Sequence, residues 1–119
     1  MKHPHLANRV RSHRKRAGLS QKDLARIVGL TEARISYHER FGIVPPLVVA
    51  LSYEAVFGVP VRDLYPRLYE DIRQRVEAEL TAMEAELQQM TAKGRQANSV
   101  ARKLEWCNER KKPITNLVR

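Results

Sequence analysis

The first half of the chain is cut into short helical segments by its own stop and start signals. Gly18 and Ser20 fall together, then Gly29 and Thr31, then Pro45 and Pro46, then Gly58. Glycine just past a helical stretch supplies the left-handed turn that ends it, Ser and Thr hold the free N–H groups of the next helix, and proline is tolerated best at a helix start. Such spacing predicts five short helices. "LANRVRSHRKRA" (6–17) places Leu6, Val10, His13 and Ala17 near one face. "SQKDLARIVG" opens on Ser20 with Asp23 three residues on, a capping-box arrangement, and offers Leu24, Ala25, Ile27 and Val28 as its apolar side. "LTEARISYHER" follows a Thr31 cap. The fourth helix starts at the prolines, with Leu47, Ala50, Leu51 and Val56–Phe57 expected inside, and "VRDLY" forms a fifth turn before Pro66.

The third of these segments has too few apolar residues merely to plug a core. With Ile35 at the origin and about 100° per residue, Thr31, His38 and Glu39 lie within about 60° of it, while Ala33, Tyr37 and Arg40 fall at about 140–200°. Ile35 is therefore the expected anchor, and the opposite side presents a methyl, a phenol and a guanidinium. The preceding helix carries Ala25 and Gly29, small enough for a close crossing. Two helices packed steeply, the second with an exposed polar face, form a helix-turn-helix whose outer face suits a DNA major groove.

Charge agrees with a polyanionic partner. The net charge is +9, and residues 1–41 hold ten Lys/Arg against three Asp/Glu together with all four histidines. Residues 66–92 are acidic, with three against six, and residues 93–119 are basic again, with eight against two. A mean hydropathy of −0.50 and a longest apolar run broken by Pro45 and Pro46 argue against a membrane span, and no apolar leader follows "MKHPHLANRVR", so no signal peptide is expected. Cys107 is the single cysteine, which excludes an internal disulfide framework and fits a reducing cytoplasm. No Cys/His spacing suits zinc, no glycine-rich loop could cradle a nucleotide, and no nucleophile has an evident base. The terminal "MKH" has square-planar copper or nickel geometry but nothing beyond it. The expectation is no enzyme, no cofactor and no metal, and a cytoplasmic protein that joins the nucleoid when bound to DNA.

"RKRAGLSQKDLARIVGLTEARISYHER" followed by "PLVVALSYEAVFGVPVRDLYP" resembles the XRE family, the phage repressor and Cro-like helix-turn-helix regulators, over about residues 6–66. The shared elements fall in order: "GLSQ", Leu24–Ala25, Val28–Gly29, Ile35–Ser36, "ER", the proline, and "FGV" before a last turn. The resemblance implies a five-helix Cro/repressor-like DNA-binding domain over 1–66. It does not cover the C-terminal half, where the residue pattern described below predicts a helical extension over 67–119, coiled-coil-like or a helical hairpin, so the expected fold is all-α. The resemblance also implies sequence-specific binding of double-stranded DNA as a homodimeric repressor, with helix 31–41 in the major groove of an inverted-repeat operator. By position, Glu32, Ala33, Ser36 and Tyr37 would meet bases with Arg34 flanking. Gln21, Thr31 and Arg40, with the backbone at Gly42 and Ile43, would meet phosphates, and Arg14 and Glu39 would form a structural pair. The chain departs from the family pattern at Phe41, where glycine is usual, and at His13 and His38, where apolar or aromatic residues are common. Charging two such half-buried imidazoles below about pH 6 is expected to loosen the fold.

Beyond Pro66 the pattern changes period. Tyr69, Val76, Met83 and Met90 recur every seven residues, and Leu80 and Leu87 fill the intermediate three-four positions. Val76, Leu80, Met83, Leu87 and Met90 form the expected dimerisation seam, within a dimerising region at 67–112. Gly94 breaks it, and "ANSVARKLEWCNERKK" carries Ala97, Val100, Ala101, Leu104 and Cys107 on one side with Trp106 on the other. Two helices of opposite charge joined at a glycine could pair within one chain or between two. An alternative reading is an antitoxin or antiactivator whose C-terminal helices capture a protein partner, with Trp106 as the anchor.

Overall fold

The computed structural model describes residues 7–40, 43–90 and 94–112, and of Arg95 the backbone alone. Leu6, Phe41, Gly42, Pro113 and the terminal "MKH" lie outside the described residues. Among the described residues, seven helices follow in chain order: α1 (Val10–Arg16), α2 (Gln21–Val28), α3 (Glu32–Arg40), α4 (Leu47–Phe57), α5 (Val61–Leu64), α6 (Pro66–Gln89) and α7 (Arg95–Arg110). The fold is all-α, and among the described residues no helix is long and apolar enough to cross a membrane.

Local chemistry sets the helix ends. The Ser20 hydroxyl accepts the Asp23 backbone N–H at 2.9 Å, and the Asp23 carboxylate accepts the Ser20 N–H at 2.9 Å, a complete capping box. Hydrogen bonding to the carboxylate from the Ser20 backbone N–H first, and from the Ser20 side chain second, holds the Asp23 pKa below the usual carboxylate range. Gly29 ends α2 at φ 76°, a left-handed conformation that a side chain would strain. The N–H of Leu30 then returns to the carbonyl of Ala25 at 2.9 Å, and Thr31 Oγ1 accepts the Arg34 N–H at 3.1 Å to start α3. Where the sequence predicts a helix over 6–17, α1 begins at Val10, whose N–H is taken by the Asn8 side chain at 3.0 Å.

The chain divides into two compact units, Met1–Asp71 and Ile72–Arg119. The first has a core of Val10, Leu24, Ala25, Ile35, Tyr53, Leu64 and Tyr65, with Val49, Val56, Phe57 and Leu68 packed on it. Leu68 joins this core from the first turn of α6, which carries the unit past Pro66. Each fully buried aliphatic side chain here contributes about 1.5–3 kcal/mol.

Two faces differ from the sequence expectation. Leu47 and Leu51 are 71% and 49% exposed, while Ala50 and Tyr53 face the core. "LVVALSYEAVF" is apolar on every side, so its pattern does not choose a face; the choice comes from packing against α1, α2 and α5, with Tyr53 entering the shared core and reaching His38 of α3. Ile27 is likewise exposed, and the buried side of α2 is Leu24 and Ala25.

In the second unit, α7 folds back on α6 within the single chain. The Cys107 thiol lies 4.0 Å from the Met83 sulfur, and Lys111 forms an ion pair with Glu84. The expected seam divides here. Leu80, Leu87 and Cys107 are buried, whereas Val76, Met83 and Met90 are exposed.

Candidate nucleic-acid interface

The helix α3 has one side inside the protein and one outside. Ile35 is fully buried and His38 nearly so, and the Glu39 side chain is fully shielded. Glu32, Ala33 and Arg34 are exposed, Tyr37 is 40% exposed, and Ser36 is half-buried beside them. Thr31, Ala33, Arg34 and Tyr37 together line one shallow surface depression. Every group the sequence assigns to bases therefore lies on the outward surface of one helix. Its start presents N–H groups and a positive dipole end that favour an anion. The Thr31 oxygen caps α3, which leaves its O–H oriented to donate elsewhere. Arg40 is exposed at the other end, and Ile43 is half-buried beyond it.

Buried polar groups fix the rotation of α3. Arg14 Nε and Nη2 donate to the two Glu39 carboxylate oxygens at 2.8 and 3.1 Å, and Arg14 Nη1 donates to the Leu19 carbonyl at 2.9 Å. Hydrogen bonding to Glu39 raises the Arg14 pKa above its ordinary value against the opposing effect of burial. Gln21, expected at a phosphate, also donates its amide to Glu39 at 3.1 Å, so it joins α2 to the same carboxylate. Sequence reasoning did not find this bond: a separation of 18 positions between the partners leaves no local signal.

At the adjoining residue, His38 Nδ1 and the Tyr53 hydroxyl are 2.9 Å apart, with the rings edge to face. The Asn8 side-chain amide donates to the His38 carbonyl at 3.2 Å. Burial first, and the positive charge of Arg34 second, push the His38 pKa down. His13, grouped with His38 in the sequence, is instead half-buried against the Phe57 ring, with centroids 5.8 Å apart. Tyr53 itself went unnoticed in the sequence. A tyrosine in the middle of an apolar helix was the available signal.

The two helices share a core through Ala25 and Ile35, whereas Gly29, expected at a close crossing, is exposed with open space beside it and acts only as the left-handed turn between them. With a shielded anchor and a polar outer face, the pair meets the geometric requirement for presenting a helix to a groove. A family model described as a helix-turn-helix domain matches residues 5–64. The chain belongs to the helix-turn-helix family, in its XRE/Cro-like form. No curated protein and no solved structure matches the chain. The helix-turn-helix domain accounts for the first unit, in which α2 and α3 are the paired helices, and membership makes the protein a DNA-binding regulator. The family match ends at residue 64 and leaves the hairpin of the second unit outside it.

Proposed function

We propose that the protein is a dimeric transcriptional repressor that reads an inverted-repeat operator with α3 in the major groove. The observation that carries this reading is the outward pairing of Ala33 and Tyr37 on a helix whose opposite side is locked by Ile35 and Glu39. Glu32 suits cytosine N4, the Ala33 methyl suits a thymine methyl, and Ser36, Tyr37 and Arg34 complete the base-facing set. Gln21, Thr31, Arg40 and the backbone near Ile43 supply phosphate contacts, which set register and most of the affinity. Among Gln21's hydrogens, one serves Glu39; the other is the one offered to phosphate.

Fluorescence anisotropy tests the reading with duplexes selected from random sequence. Affinity should fall by at least about 1,000-fold between about 50 and 200 mM salt if six or more phosphates are contacted. The selected sites should be inverted repeats. A flat salt response, or selected sites without symmetry, would overturn it.

A second reading has support from Trp106, which is 54% exposed on α7. As an antitoxin or antiactivator, the protein would regulate its own operator and hold a partner protein through α6 and α7. Purification of the tagged protein from its native host decides this: a stoichiometric partner that is lost on Trp106→Ala favours it.

A further inference from the structure

We propose that the exposed side of the α6–α7 hairpin is a self-complementary surface that docks on a second copy of this chain. The proposal deepens the regulator reading, on which it rests only for the expectation of two copies.

The surface is a groove of about 350 Å³ on α6, walled by Val76 and Met83 and bordered on the α7 side by Trp106. Its two rims carry opposite charge. Glu79 and Glu86 stand on the α6 edge. Beyond Trp106, Arg102 and Lys103 stand on the α7 edge, with Asn98 and Ser99 beside them. Arg75 is the one basic residue on the α6 rim, at the end of the groove away from Glu86.

That division is what a two-fold interface needs, since each copy presents the same patch to the other. An axis running along the hairpin lays α6 of each copy over α7 of its partner, so the acidic rim meets the basic rim twice. The levels also match. Met83 and Cys107 are in contact, and the two helices run in opposite directions. Glu86, three residues after Met83, thus shares a level with Lys103, four before Cys107. Glu79 shares a level with Arg110 in the same way, and Arg75 falls past the last described turn of α7. In the pair, each indole enters the apolar groove of the other copy, the position where aromatic anchors concentrate binding energy. A docked segment of unrelated sequence would not require the charges to be split across the indole.

Sedimentation of the full chain without DNA tests the proposal, so that its failure leaves DNA binding by the first unit intact. The parent should show a monomer–dimer equilibrium in the micromolar range. Trp106→Ala should weaken it at least about 30-fold. Glu86→Lys and Lys103→Glu should each weaken self-association about tenfold or more by facing like charges. Mixing those two variants should restore association, because every rim pair in the mixed dimer is again of opposite sign, and that recovery also shows that both variants are folded. A parent that stays monomeric overturns the proposal, as does a dimer indifferent to these changes or a mixture no tighter than its components. A monomer that associates only when another protein is added overturns it in favour of that partner.

Discussion

Glu39 accepts hydrogen bonds from Arg14 at both carboxylate oxygens and from Gln21 at one of them, so a single shielded acid joins α1, α2 and α3. The Glu39 side chain has no solvent exposure and that of Arg14 only 9%. Removing one partner strands a buried charge. Arg14→Met should therefore cost about 3–5 kcal/mol, and the double change Arg14→Met with Glu39→Leu should recover most of that. Urea midpoints measure both. A single variant as stable as the parent would show the pair to be dispensable.

Tyr37 and Gln21 should separate choice of site from overall grip. Tyr37 lies on the outer side of α3, whereas Gln21 starts α2. Tyr37→Ala is expected to lose about 1–3 kcal/mol of discrimination at one base position, whereas Gln21→Ala weakens all duplexes by a similar factor. Competition binding against single-base-pair variants gives both quantities. Equal losses of discrimination from the two changes would refute the assignment of faces.

Stability should fall on mild acidification because of His38. Its folded pKa lies below the ordinary 6.5, through burial and then through Arg34. As pH drops through that ordinary value the unfolded chain binds a proton that the folded chain refuses, so folding loses free energy until the folded pKa is reached; above the ordinary value, and again below the folded one, the contribution is constant. The groups facing the imidazole are Tyr53, through its hydroxyl, and Arg34. The melting temperature should decline between about pH 7.5 and pH 5.5, and His38→Phe with Tyr53→Phe should flatten that decline without orphaning the phenol. An unchanged slope in the double variant would move the effect elsewhere.

Tyr65 offers a stabilising change. Its ring is buried, its hydroxyl finds no hydrogen-bond partner among the described residues, and burial pushes its pKa up to about 12. Tyr65→Phe removes an unsatisfied polar atom and keeps the ring, for an expected gain of about 1 kcal/mol. Thermal unfolding would expose the opposite outcome, a loss, as the signature of a partner for that hydroxyl.

The features legible in the sequence are those decided within a few residues. Ser20 with Asp23, the turn at Gly29, the Thr31 cap and the inward direction of Ile35 are all local, and each is found where the spacing puts it. Arg14 and Glu39 came from family resemblance, and the structure brings them together. What spacing could not give is tertiary choice. The helix α4 is apolar on all sides, so packing against α1, α2 and α5, together with Tyr53 meeting His38, fixes which residues face inward. In α6 the heptad pattern is real, but two adjacent apolar stripes satisfy it equally. Leu80 and Leu87 turn inward with Cys107, and the Val76–Met83 stripe remains outside. The second hydrogen-bond partner of Glu39 was hidden for the same reason, since Gln21 and Glu39 meet only after α2 and α3 have packed together.

The separation of duties on α3 has an evolutionary corollary. Ile35, His38 and Glu39 carry the packing and the polar anchoring, while the side chains of Glu32, Ala33 and Arg34 are exposed. Substitutions at those three positions can thus retarget the regulator to a new operator one side chain at a time, with each intermediate still folded.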